Sequence, residues 1–324
     1  MAHFFFAFNA LMPLIILAFV GYLMVTTKLL NQSFIAQLNR FIFYVALPVL
    51  IFYTLKDITD LSDVNGYVII FSVVMIAIIF VLALLIVRPL NLSIPHKAVA
   101  TQAFFRGNFM LIGMPLALRL GGVEALAIVV ILNVFIIPTS NLFSVVTFNL
   151  YNLKESSAHA FYDFVKSTLF NPLMVAVFLG IIAALLHDYY QAFAGALPFF
   201  DETLEMLAIT ATPLAMLAIG GQFKMHRSKQ LFKPLFIGAF ARLLFVPTVA
   251  LSAAIIMTRW IDFTHAWGAL IAIFASPVAV SSVAITKGFE GDDELASQIV
   301  LWTSLLASLT IFLIVSVFSY LGLL

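Results

Sequence analysis

Ten runs of roughly twenty apolar residues follow one another along this chain, each long enough at 1.5 Å per residue to cross a hydrocarbon core of about 30 Å. Inside lipid the backbone has no water to bond, so such a run must satisfy its own N–H and C=O groups by folding as a helix. The runs are Asn9 to Thr27, Gln37 to Leu55, Tyr67 to Val87, Ala98 to Leu118, Val123 to Leu150, Ser167 to Leu186, Glu202 to Gly221, Pro234 to Met257, Ala266 to Thr286 and Glu294 to Leu321. With 64% hydrophobic and only 10% charged residues, no water-facing surface can be built around them. The expectation is an all-α integral membrane protein of ten transmembrane helices. The first run lacks a basic leader and an A-x-A cleavage site, so it reads as a retained span.

Composition also excludes whole classes of chemistry. A net charge of +1 supplies no basic domain for nucleic acid, and a chain without cysteine has no disulfides, thiolates or cysteine metal ligands. The six histidines form no HExxH pair, and no GxxxxGK[ST] loop is present, so neither a metal, a cofactor nor direct use of ATP is expected. A nucleophile or acid dyad deep in the bilayer is missing too, which ranks an intramembrane enzyme last.

Two spans are interrupted. GNFMLIGMP, Gly107 to Pro115, breaks the fourth, and ASPVAVSS, Ala275 to Ser282, breaks the ninth. Glycine and proline leave backbone groups unpaired, which lipid tolerates only where they are buried in protein or line a cavity; paired breaks in matching positions are the mark of a transporter's substrate site.

The matching positions extend further. MPLIILAFVG, Met12 to Gly21, aligns without gaps to NPLMVAVFLG, Asn171 to Gly180. Pro13 and Pro172, Pro48 and Pro213, and Pro115 and Pro277 are separated by 159, 165 and 162 residues. Five spans per copy is an odd number, so the second copy enters from the opposite side. The expected organisation is a first repeat over 1–151, a loop over 152–166 and an inverted second repeat over 167–324, with the binding site near the midplane.

Loops after the odd-numbered spans, with their edges, hold Lys28, Arg40, Arg88, Lys97, Lys154, Lys166, Lys224, Arg227, Lys229, Lys233 and Lys287; loops after the even-numbered spans hold only Lys56, Arg119 and Arg259. That bias puts both termini outside.

Two basic residues remain, both within spans. Arg106 lies nine residues past Lys97, roughly 14 Å into the bilayer, where a charge costs at least about 2.5 kcal/mol. Two readings stand: an anion clamp, since a guanidinium fork matches a carboxylate, or a structural arginine that caps freed carbonyls or snorkels to the surface. Arg242, five residues before Pro247, reads as structural, satisfying carbonyls that the proline opens. Asn108, beside the first break, is the polar residue best placed to meet a carboxylate. Ser276, Ser281 and Ser282 around Pro277, with Thr303 and Ser304, read mainly as small residues for close packing, although the hydroxyls near Pro277 can complete a pocket facing Asn108. Only Glu205 among the acids lies inside a span, so a carboxylate proton relay is missing and an intramembrane pair of cations points to an anionic substrate.

Taken in order, Pro13 with Gly21, LNRF with Pro48, Asn108 with GMP ending at Pro115, Asn171–Pro172, Pro213 with LAMLAIGG, Arg242 with Pro247, and Pro277 with Lys287 resemble the auxin efflux carriers and the bacterial permeases related to them. The resemblance covers nearly the whole chain. It implies helices 4 and 9 crossing at Pro115 and Pro277, an anion beside Asn108, a scaffold of spans 1, 2, 6 and 7 that forms a homodimer, and a transport unit of spans 3–5 and 8–10 that moves as an elevator. It also implies a bacterial inner membrane setting, since the loop at 152–166 is short.

The expected function is secondary transport of a small organic anion, a mono- or dicarboxylate such as malate, by alternating access. The candidate substrate-binding residues are Asn108, Pro115, Pro277, Arg106, Ser281 and Ser282. An anion channel is the alternative, and coupling to H⁺ or Na⁺ is left open. Expected partners are the anion and membrane lipid, with no nucleic acid.

Overall fold

The computed structural model describes residues 2–56, 65–151, 172–222 and 231–324. The expected loop at 152–166, Asn171, and the basic residues Lys224, Arg227 and Lys229 lie outside the described residues. Among those described, the regular structure is helix, and the only β-type pairing is one isolated antiparallel bridge, Gly107 with Val278.

The helices in chain order are α1 (Ala2–Thr26), α2 (Gln32–Phe41), α3 (Leu47–Leu55), α4 (Gly66–Val87), α5 (Ile94–Phe105), α6 (Met114–Leu150), α7 (Pro172–Leu185), α8 (His187–Ala196), α9 (Pro198–Gly221), α10 (Phe232–Phe240), α11 (Val246–Met257), α12 (Trp267–Phe274), α13 (Ser281–Gly288) and α14 (Asp293–Tyr320). Among the described residues, seven continuous stretches are long and apolar enough to cross a membrane, eight if α7 and α8, bent by 95°, form one span. The sequence-based count of ten is higher because it treats each interrupted run as one span, whereas α5, α12 and α13 are separate helices of 12, 8 and 8 residues. Within α6 the backbone leaves helical geometry at Gly121 and at Gly122, whose φ is +65°. A side chain is strained at that φ, so the glycine sets the corner where the fourth run ends and the fifth begins.

Prolines shape the helices by a common device. Wide π turns over Ile42–Ala46, Phe109–Gly113 and Ala241–Phe245 each come just before a helix whose second residue is proline: Pro48, Pro115 and Pro247. A proline has no N–H to give, and its ring collides with the carbonyl four residues back. Opening the preceding turn by one residue relieves the collision while keeping neighbouring amides bonded, as in Leu47 N–H to Ile42 O and Val246 N–H to Ala241 O.

Two close helix pairs frame the molecule, α1 on α9 and α3 on α7. A Cβ on Gly21 would stand 2.0 Å from the Leu217 carbonyl oxygen, and one on Gly220 1.7 Å from that of Ala18, so α1 and α9 touch backbone to backbone. Such contact is how helices gain dispersion energy in a solvent as apolar as their own side chains. Gly180 lets α7 close on α3, where a Cβ would stand 2.8 Å from the Leu55 side chain.

Helix α8 was not expected from sequence. It carries Tyr190, whose hydroxyl donates to Asp201 at 2.6 Å. Asp201, in the first turn of α9, also pairs with the buried Lys56 at 3.4 Å, and the Lys56 ammonium lies 4.4 Å from the Tyr53 ring centroid and 5.1 Å from that of Tyr190. An acid at a helix N-terminus and a caged cation stabilise each other, and the cluster ties the end of α3 to the start of α9.

Candidate functional site

The two breaks meet. After Phe105 the chain is non-helical through Arg106 (φ −97°, ψ 84°) and Asn108 (φ −84°, ψ 65°). There it pairs with the segment between α12 and α13: Asn108 N–H donates to Pro277 O at 2.7 Å, and Ala279 N–H to Arg106 O at 3.0 Å. The Val278 N–H is taken by the Thr303 hydroxyl of α14 at 3.1 Å. Backbone freed by one break is thus satisfied largely by the other, which is what burial in an apolar interior demands. Thr303, which sequence reasoning assigned to close packing, is a hydrogen-bond partner of the broken strand.

The crossing differs from the expected one. Pro277 is at the contact, but its partner is Asn108, and the paired residues are 106–108 and 277–279. Pro115 lies in the first turn of α6, beyond the π turn that it requires. Gly107, rather than Pro115, permits the close approach: a Cβ there would stand 2.0 Å from Arg242 Nη2 and 2.4 Å from the Phe109 ring.

Arg242 is fully buried and fully employed. Its Nε donates to Ser276 O at 2.6 Å, Nη1 to Phe104 O at 3.1 Å, and Nη2 to Ile273 O at 2.8 Å and Ser276 Oγ at 3.1 Å. One guanidinium therefore holds the carbonyl ends of both interrupted helices, α5 and α12, where the helix dipole is negative. The structural role expected from sequence holds, but the carbonyls belong to the two breaks and not to Pro247.

Arg106 is itself the C-cap residue of α5, but its guanidinium reaches away to the start of α13. Its Nη2 donates to Ser281 Oγ at 3.0 Å, at the first residue of α13. Its Nη1 donates to the Asn141 side-chain oxygen and, at 3.4 Å, to Ser144 Oγ, both on α6. All three partners are neutral, Nε has none, and among the described residues no carboxylate stands within ion-pair distance. A buried cation at a helix N-terminus meets positive potential from the dipole, an unfavourable placement that a bound anion would reverse.

Asn108 and Arg106 stand two apart in the same non-helical stretch, each bonded through its backbone to the segment at Pro277–Ala279, with Gly107 between them against Arg242. The Asn108 side-chain oxygen caps the following π turn through Leu111 N–H at 3.3 Å; its Nδ2 is buried without a partner. The Ser282 hydroxyl is also buried and unpartnered. Asn108, Arg106, Pro277, Ser281 and Ser282 are therefore brought to one locus, and Pro115 is not. Asn141 and Ser144 escaped the sequence reading. Their signal is a polar face within an apolar run: Asn133, Ser140, Ser144 and Thr147 recur at helical spacing and are all buried.

A polar column leads from Arg106 to one end of the molecule. Thr286 Oγ1 lies 3.2 Å from Gln102 Oε1, and Gln102 Nε2 is unpartnered. Beyond them Phe148 stacks on Phe289 at 5.2 Å, Thr101 meets the Tyr151 hydroxyl at 3.3 Å, and His96 Nε2 pairs with Asp292 Oδ2 at 2.9 Å. Toward the other end, the π turn Phe109–Gly113 and the buried helix α12 are wholly apolar.

These features, apolar helices around a buried cationic locus at paired helix breaks, define a polytopic membrane protein with a polar centre inside an apolar body. The chain belongs to the membrane transport protein family, that of the auxin efflux carriers, whose model matches residues 6–315. It is a membrane-embedded transporter. A comparison with the curated proteins finds no match.

Proposed function

We propose that the protein is a secondary transporter of a small organic anion, a mono- or dicarboxylate, which binds at Arg106 and Asn108 and crosses by alternating access. The observation that carries this reading is Arg106: a buried guanidinium at the N-terminus of α13, with neutral partners only and a free Nε. An anion there would gain from the arginine, from the N-terminal end of α13 and from the Asn108 amide at once.

The same reading takes the chain as ten spans in two inverted five-span repeats, a fold whose halves pack alike. Gly21 sits in the first span of one half against the second span of the other, and Gly180 sits in the matching place against the second span of the first half. The two breaks pair with each other, as elements on a pseudo-two-fold axis do. Spans 1, 2, 6 and 7 then serve as scaffold and dimer contact, and spans 3–5 and 8–10 as the moving unit of an elevator. The charge bias supports both termini outside, and the likeness to bacterial permeases supports a bacterial inner membrane. The apolar π turn and α12 on the far side of Arg106 count against the continuous polar pore that an anion channel needs.

In this reading the polar column is the inward path, closed by the His96–Asp292 pair and the aromatic stack. Because the chain has no cysteine, a single Gln102→Cys reports access directly. Its reaction with a membrane-impermeant thiol reagent should proceed from the basic face only, and faster by roughly tenfold when Asp292→Asn removes the ion pair while keeping an N-cap residue. Equal labelling from both faces would reject the path.

Transport itself is tested by uptake of labelled malate, malonate and indole-3-acetate into proteoliposomes, with and without H⁺ and Na⁺ gradients. Saturable uptake of one substrate supports a carboxylate carrier, and its gradient dependence identifies the coupling ion. Flux that does not saturate would favour a channel, and no uptake by folded protein would reject the carboxylate assignment.

A further inference from the structure

A groove of about 490 Å³ opens on the flank of the molecule between the end of α4, the inner part of α5 and the outer face of α10. Its walls are Ile86 and Leu90 on one side and Phe232, Phe236 and Phe240 on the other; Phe104 and Phe245 line it deeper in. The three outer phenylalanines recur every four residues and stack in sequence, with centroids 6.4 and 6.0 Å apart and planes inclined by 22° at each step. Each remains about half exposed or more, so the ladder forms a continuous apolar rail that the protein leaves uncovered. From Phe232 to Phe245 the wall runs roughly 20 Å at helical rise, somewhat more than the 15 Å or so of one leaflet's hydrocarbon.

The mouth has different chemistry. Among the described residues, Lys233 is the one charged residue in the lining, and it stands in the first turn of α10. Arg88, two residues from Leu90, ends α4, and the Lys97 ammonium is tied to the Arg88 carbonyl at 2.8 Å. Positive charge above an apolar slot of one-leaflet length is complementary to a single class of membrane molecule. We propose that this groove is a binding site for an anionic phospholipid, one acyl chain along the phenylalanine ladder and the phosphate at Lys233.

The site has a structural consequence. Phe104, at its floor, pairs with Phe245 at 5.8 Å and offers its carbonyl to Arg242, the residue that holds both helix ends at the breaks. Ala241, also in the lining, precedes Arg242. A bound chain therefore buttresses the back of the crossing, on the side away from Arg106, and its presence does not depend on the anion reading of that residue.

The test uses the cysteine-free chain in proteoliposomes. A bimane on Phe236→Cys is quenched by nitroxide-labelled phospholipids, with Leu309→Cys on the exposed face of α14 as a control outside the groove. One lysine near a membrane surface is worth about 1 kcal/mol toward an anionic lipid, or about fivefold. The expected result is half-quenching at Phe236 by phosphatidylglycerol at a roughly fivefold lower mole fraction than by phosphatidylcholine, no such preference at Leu309, and loss of the preference in Lys233→Ala. Native mass spectrometry of the unlabelled protein should show anionic lipid retained, and lost with Lys233→Ala. Equal quenching by both lipids at Phe236, the same preference at both positions, or lipid retention indifferent to Lys233 would overturn the proposal.

Discussion

Arg242→Met destabilises the protein by about 3–5 kcal/mol, the largest effect expected of any single substitution in the chain. The reason is the asymmetry of buried polar groups. Removing the guanidinium leaves the carbonyls of Phe104, Ile273 and Ser276 without their donor, and each buried acceptor so stranded costs about 1–3 kcal/mol unless another donor moves in. The Ser276 hydroxyl, itself bonded to Ile273 O at 3.1 Å, recovers part of one. Arg242→Lys should fall between wild type and methionine, since an ammonium keeps the charge but cannot span carbonyls from two helices as a planar fork does. Denaturation in mild detergent or bicelles measures the series. A methionine variant as stable as wild type would show that the helix ends do not depend on this residue.

Arg106→Gln should do the reverse. Its native partners, Asn141, Ser144 and Ser281, are neutral and accept equally well from an amide. The substitution also removes an uncompensated charge from a helix N-terminus. Stability without substrate is therefore expected to stay the same or rise. Anion transport, in contrast, loses a charge-assisted hydrogen bond worth about 1.5–3 kcal/mol, roughly tenfold to a hundredfold in kcat/KM. Two arginines buried in one region are thus separated by opposite signatures. Arg242 variants should fail to fold well, and Arg106 variants should fold and fail to transport. A variant of Arg106 that loses stability as Arg242→Met does would assign it to the frame instead.

The sequence carried the positions of the breaks because their causes are local. Gly107 and Pro277 cannot be read as ordinary helix interior, and Gly121 with Gly122 marks the corner after the fourth run for the same reason. Which residues meet across the breaks was not legible. Pro115 was expected at the crossing because the family resemblance implies helices that cross at their prolines, yet a π turn absorbs its missing N–H, and the backbone pairing falls at Gly107, where the absence of a side chain matters more. Arg242 was recognised as structural, but its partners lie 138, 31 and 34 residues away, and the nearby Pro247 offered a false local explanation. Asn141 and Ser144 were passed over since single polar residues on an apolar helix carry no signal until their common face is known to point at Arg106. Helix α8 is half polar and short, too weak in pattern to be separated from a loop; only the Lys56–Asp201–Tyr190 cluster gives it a reason to exist.

The most direct test of the central claim, that Arg106 is the binding centre for an anion, is ligand-dependent thermal stability of the purified protein. A panel of mono- and dicarboxylates is compared with the corresponding neutral amides, on wild type and on Arg106→Gln. The account predicts that at least one carboxylate raises the unfolding temperature of wild type in a saturable way, that its amide does not, and that Arg106→Gln responds to neither. An undiminished carboxylate response in Arg106→Gln, or equal shifts from carboxylate and amide in wild type, would contradict it.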